Sequence, residues 1–130
     1  MEDKYYIGKR VKQKTLKEAE QRLIHAKDEK IICVVRGAIE HEIMGASTVR
    51  NGLLIITTKR VIFYMPKLFG RYESEEYPLT KITSVQCTRG LLDDRLEIAV
   101  ASDRKVIKWI PKGDGVRAAH IISNMIMGSG

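Results

Sequence analysis

LLIITTKRVIFYMPKLFGR, residues 53–71, holds two β-rich runs, Leu53–Thr57 and Val61–Met65, on either side of Thr58-Lys59-Arg60. Short branched and apolar runs flanking a polar triplet read as the two strands of a hairpin. Pro66 ends the second run. Lys67-Leu68-Phe69-Gly70 then sets two large apolar residues between a turn-former and a glycine. A loop of this kind either tucks back onto its own core or points outward at something.

Upstream, the period is also two. Ile31, Cys33, Val35, Gly37 and Ile39 fall on one face of a strand, with Arg36 and Glu40 on the other. Gly45, Ser47, Asn51 and Gly52 mark His41–Gly52 as a loop. Downstream, Arg71–Tyr77 is a polar strand stopped by Pro78, and Ile82–Thr88 is a fifth strand. Gly90–Asp94 is a turn, Leu96, Ile98 and Val100 alternate in a sixth strand, and Val106–Ile110 is the seventh, closed by Pro111. The period then changes to helical. Asp114 is placed as an N-cap, and Val116, Ala119, Ile122 and Ile126 mark one face of a closing helix.

Before the strands, residues 1 to about 14 are polar and basic and read as a mobile arm. Thr15-Leu-Lys-Glu18 has capping-box spacing, with the threonine oxygen and the glutamate each accepting an amide proton at the helix start. Leu16, Ala19, Leu23 and Ala26 predict a helix over about 16–27 with a narrow apolar stripe, lying on the main domain or against another chain. The organisation is therefore a basic arm and helix over 1–29, one domain over 30–127, and a tail, 128–130. A sheet of seven antiparallel strands with one apolar face must bury it and deal with its edges. The fold class is α+β, a curled seven-stranded antiparallel barrel or sandwich with a C-terminal capping helix plus an N-terminal helix.

Composition narrows the function classes. At 130 residues, 44% hydrophobic and 30% charged, the chain has the makeup of a globular domain. No apolar run approaches the ~20 residues of a spanning helix, and MEDKYYIGKR lacks a signal-peptide core, so the expected compartment is the cytoplasm. Cys33 and Cys87 sit apart in apolar runs, and His25, His41 and His120 are scattered. That spacing argues against a metal site, and no cofactor is implied. The net charge of +7 permits contact with any polyanion. From Ile43 to Tyr72 there are five basic residues and no acid.

The order of elements, together with LLIITTKRVIFY, PKLFGRYESEEYPLTKITSV, RLEIAV and the closing helix, resembles a bacterial pleckstrin-homology domain, closest to the short, YokE-like kind. The resemblance spans about residues 30–127. It implies two nearly orthogonal antiparallel sheets plugged at one end by the helix, and a function in binding rather than catalysis. Lipid-headgroup binders of the wider superfamily concentrate cations in and just after the first hairpin loop, where this chain offers Arg50 alone. Self-assembly occurs among the bacterial members.

No catalytic constellation is expected: Asp93-Asp94 and Ser102-Asp103 read as turn chemistry, and His120 lies beside an apolar stripe. Lys59-Arg60 read as solvated turn residues and Trp109 as a core or edge aromatic. The candidate binding residues are Arg50, Lys67, Leu68, Phe69, Arg71, Arg104 and Lys105. Because the 66–70 loop is short, Leu68 and Phe69 are expected to fold inward as a lid over the barrel mouth, leaving Lys67 and Arg71 at the rim. The favoured function is protein interaction or self-assembly, using the N-terminal helix and an exposed strand edge. The alternative is a peripheral membrane binder of anionic lipids through the 66–71 loop, at the inner face of the membrane. Nucleic acid is disfavoured, since Glu73, Glu75 and Glu76 interrupt the basic surface where a nucleic-acid barrel interleaves cations with aromatics.

Overall fold

The computed structural model describes residues 5–101 and 103–128, with the side chains of Glu42 and Ile43 left aside. Ser102 and the tail beyond Gly128, both named in the sequence reading, lie outside the described residues. The order is β1 (Tyr6–Ile7), α1 (Gln13–Leu23), β2 (Ile31–Ile43), β3 (Ala46–Thr57), β4 (Arg60–Pro66), β5 (Tyr72–Pro78), β6 (Ile82–Arg89), β7 (Asp93–Val100), β8 (Asp103–Pro111) and α2 (Asp114–Gly128). One sheet runs β5-β4-β3-β2-β8-β7-β6, and β1 adds in parallel to β2. The seven expected strands and both helices are present.

β2 joins the two halves of the sheet. It pairs with β3 over its whole length, but with β8 only at Ala38↔Lys108 and Ile39↔Ile107. Gly37 sits where β2 passes against the opposite wall. A Cβ there would lie 2.7 Å from Cγ1 of Ile107 and 3.0 Å from Cγ1 of Ile110, so any side chain would push the two walls apart. Inside the curled sheet, Cys33, Val35, Ile39, Leu54, Ile56, Phe63, Leu96, Ile98 and Ile107 form the core, with Ala118 and Ile122 of α2 closing it.

A second apolar layer lies outside the sheet. Leu16, Ala19 and Leu23 of α1 cover Val34, Leu53, Ile55, Ile62 and Tyr64. This explains why Leu53–Thr57 and Val61–Met65 read as continuous apolar runs. Both faces of these strands are covered, one by the core and one by α1, so no alternation is imposed on them.

Several local expectations change. α1 starts at Gln13 with Lys12 as N-cap and no side-chain cap, so Thr15 lies inside the helix and the capping box does not form. The chain is positioned instead by tertiary bonds: β1 pairs with Cys33 and Val34, the Gly8 amide donates to the Val34 carbonyl at 2.8 Å, and the Lys9 amide donates to Asp114 at 2.7 Å. From Tyr5 onward the arm is therefore tied to the domain. α1 also ends at Leu23, short of the expected 27.

His41–Gly52 is not a loop but the far end of a long hairpin. Met44 and Gly45 form its turn with φ of 51° and 79°, as a two-residue hairpin connection requires. Asp114 does not cap α2. Its carboxylate accepts from the Tyr6 hydroxyl and the Lys9 amide. The cap is Asp94 of β7, whose Oδ2 accepts from the amides of Gly113 at 2.9 Å, Gly115 at 3.0 Å and Val116 at 3.4 Å. Asp94 is thus a buried structural acid rather than a turn residue.

Arg60 is likewise not a solvated turn cation. Its Nε and Nη2 donate to both oxygens of buried Glu29 at 2.7 and 2.9 Å, Nη2 also reaches the Leu23 carbonyl at 2.6 Å, and Nη1 pairs with Glu76. Lys59 pairs with Asp28 at 2.6 Å. The hairpin turn therefore fastens the end of α1 to the sheet.

Candidate functional site

The candidate residues lie on and beside three hairpins: β2–β3, the Lys67–Arg71 connection of β4–β5, and β7–β8. Side-chain bridges draw these hairpins together. Arg50 of β3 lies 3.5 Å from Oε1 of Glu73, a distance at which charge acts but no hydrogen bond forms. Lys67 lies 3.4 Å from Oε2 of the same glutamate. Lys105 of β8 meets Glu75 at 2.7 Å, and Arg104 pairs with Glu97 of β7.

The glutamates of β5 thus do more than interrupt a basic surface. They sit between the cations of neighbouring hairpins and neutralise them. Burial by itself would lower the Lys105 pKa, but the Glu75 carboxylate outweighs it and raises the group above its ordinary value. The Arg104 guanidinium holds Glu97 below the usual glutamate range. Arg71 forms no ion pair among the described residues. Arg50, Lys67, Leu68 and Arg71 line one shallow cleft, while Arg104 and Lys105 line another of about 340 Å³ with Glu75 and His41. The candidates therefore form two adjoining patches, not one.

The lid expectation is overturned. Leu68 is 77% and Phe69 93% exposed. The backbone turns them out: Phe69 adopts φ 60°, ψ 39°, in the left-handed region, and Gly70 follows at φ 72°. Met44, at the tip of the β2–β3 hairpin, is 100% exposed. A bulky residue in the left-handed region is strained, so the loop holds an apolar tip in solvent at a conformational cost. Met65 and Phe63 of the preceding strand are fully buried in the core without any contribution from these side chains.

Trp109 is also not a core residue. It is 56% exposed at φ 58°. It shares a cleft wall with Leu92 of the β6–β7 turn, where Leu91 and Leu92 are 86% and 83% exposed, an apolar feature not expected from the sequence. The signal was present in Gly90-Leu91-Leu92-Asp93, where a turn carries two leucines that no periodicity assigns to a core. Among the described residues, no group of three His, Cys, Asp or Glu side chains converges as metal ligands would, and no helix is long and apolar enough to cross a membrane.

Comparison with known proteins accords with this geometry. The profile of the bacterial PH domain family matches residues 26–124. Among solved structures, the pleckstrin-homology domain from Shewanella amazonensis SB2B superposes with a TM-score of 0.60 at 17% identity, covering 87% of this chain and 97% of that one. A DUF1696 family protein with a pleckstrin-homology domain from Shewanella loihica PV-4 gives 0.54 at 20% identity, covering 85% and 96%. The pleckstrin-homology domain of USP37 gives 0.54 at 15%, covering 73% and 97%. No curated protein matches the chain. At these identities the superpositions speak for the fold alone, while the profile spans most of the sequence: the chain belongs to the bacterial pleckstrin-homology domain family.

Proposed function

We propose that this protein is a non-catalytic, cytoplasmic binding module that joins a protein partner or a second copy of itself through the tip formed by Leu68 and Phe69. The observation that supports this is an apolar tip held outward by a left-handed Phe69, beside cations of which Lys67, Arg104 and Lys105 are already paired and, among the described residues, Arg71 alone is not. Burying one such side chain in a partner contributes ~1.5–3 kcal/mol. Each cation facing an anionic bilayer contributes about 1 kcal/mol, and Glu73, Glu75 and Glu97 offset most of that here. An interface that excludes water around an aromatic anchor suits a protein surface. Of the two surfaces expected from the sequence, the N-terminal helix and an exposed strand edge, the apolar stripe of α1 is occupied by the sheet, and the contact is assigned to the exposed loop instead.

The test sets a photo-crosslinking amino acid at position 69 beside light scattering of the wild type and the Leu68→Ser/Phe69→Ser variant over a concentration series. The reading expects a protein adduct at position 69, or self-association that the variant abolishes. Monomers at every concentration, no protein adduct, and anionic-vesicle binding lost in the same variant would instead favour the membrane reading of the 66–71 loop.

A further inference from the structure

The Leu91–Leu92 turn and Trp109 border a surface unlike the hairpin tips. Between the pairs Asp94↔Ile110 and Leu96↔Ile107, β8 carries two residues, Lys108 and Trp109, where β7 carries only Arg95. This is a β-bulge, and its left-handed position is one that glycine usually fills. Here tryptophan takes it at φ 58°, and its ring is turned out of the sheet. Leu92 and Trp109 line a cleft of about 660 Å³, and Lys9, Arg10, Arg36 and Lys112 line it with them. Arg10 is also in the left-handed region, at φ 63°.

The charge state of this cleft differs from that of the hairpin tips. Lys112 Nζ donates to the Leu91 carbonyl at 3.3 Å and Lys9 Nζ to the Lys112 carbonyl at 3.4 Å. None of the four cations has a carboxylate within ion-pair distance among the described residues, and Asp93 is the one acid on the cleft wall. Cations without a carboxylate partner among the described residues therefore line a broad cleft with Leu92 and Trp109 on its wall, and exposed Leu91 adjoins it in sequence.

We propose that this cleft docks the protein on an anionic lipid surface, with Leu91 and Leu92 entering the acyl boundary, Trp109 at the interface and headgroup anions among Lys9, Arg10, Arg36 and Lys112. The leucines stand at a turn tip with nothing folded over them, as an inserting wedge requires. A tryptophan with one apolar and one polar side settles at the water–lipid boundary. The cations complement negative headgroups and lose effect with salt. The proposal is independent of the hairpin-tip reading, because Leu68 and Phe69 belong to a different hairpin and a different cleft.

Sedimentation of the full chain with phosphatidylcholine vesicles, with and without phosphatidylserine, tests it. The wild type should pellet with the serine-lipid vesicles at low salt, less so at high salt, and only weakly with phosphatidylcholine alone. Arg36→Gln/Lys112→Gln should lower the partition coefficient about twenty-five-fold, near fivefold per cation removed. Leu91→Ser/Leu92→Ser should reduce binding to the phosphatidylcholine level with an unchanged melting temperature, while Leu68→Ser/Phe69→Ser should bind as the wild type. At constant ionic strength, competition by inorganic phosphate that abolishes binding in leucine-intact protein would assign the cleft to a free anion and overturn the lipid reading. So would retention by polyglutamate without vesicle binding, or loss of vesicle binding confined to the Leu68/Phe69 variant.

Discussion

Replacing Phe69 with glycine separates an outward contact from a packed lid by the sign of its effect on stability. The phenyl ring is 93% exposed and contributes almost no burial, while the backbone at φ 60°, ψ 39° costs a residue with a Cβ roughly 1–2 kcal/mol. Glycine removes that steric cost and adds about 0.5–1 kcal/mol of backbone entropy lost on folding. Phe69→Gly should therefore leave stability unchanged or raise it by up to ~1.5 kcal/mol, worth a melting-temperature increase of about 4 °C per kcal/mol in a chain of this size. Phe69→Ser keeps the Cβ and so keeps the strain; it should fall within about 0.5 kcal/mol of wild type.

Gly70→Ala is the converse change. At φ 72° a Cβ meets nothing within 4 Å, yet the conformation alone should cost about 1–2 kcal/mol. Urea denaturation followed by circular dichroism measures all three variants, with the crosslinking assay run beside it. A loss of ~2–5 kcal/mol in either Phe69 variant, the scale of a large buried side chain truncated, would refute the outward reading. Unchanged association in both would show that the exposed ring contacts nothing.

Other perturbations probe the framework. Arg60→Ala strands the Glu29 carboxylate, whose side chain is 5% exposed, and should cost about 3–5 kcal/mol in denaturant melts; a loss below ~1 kcal/mol would mean the pair adds little. Burial pushes the Glu29 carboxyl up, but the Arg60 guanidinium and the Thr57 hydroxyl more than offset it and hold it below the usual glutamate value. Its contribution is therefore complete above the unfolded glutamate pKa and falls away as pH drops through the lower folded one; acid titration of stability in wild type and Arg60→Ala should diverge in that window. Asp94→Ala should cost about 2–3 kcal/mol by stripping three amides of their acceptor, and hydrogen exchange should show the first turn of α2 losing protection first. Burial pushes the Cys33 thiol up to about 12 and raises partly buried Cys87 as well, so a thiol reagent at alkaline pH should modify Cys87 in the native protein before fully buried Cys33, which it reaches only after unfolding.

Residue order alone determined the strands, the closing helix and hence the fold. Those features depend on short-range period and on turn residues at Pro66, Pro78, Gly90 and Pro111, which act on the chain wherever it sits. The burial of α1 was legible in Leu16, Ala19 and Leu23, while its start was not, because pairing of Tyr6 and Ile7 with β2 set the helix in place and overrode the Thr15–Glu18 signal. What tertiary structure decided was partnership over distance. Asp94 caps a helix some twenty residues away, Arg60 clasps Glu29 across another element, and β5 glutamates meet cations from two other hairpins. None of these pairings has a local pattern, since each depends on where the sheet brings its strands. The same holds for Phe69 and Trp109. From sequence Phe69 is expected as a lid and Trp109 as a core or edge aromatic, and the left-handed backbone of a short loop and a bulge turns both outward. One apolar surface is left beside largely paired cations and another beside cations without carboxylate partners among the described residues.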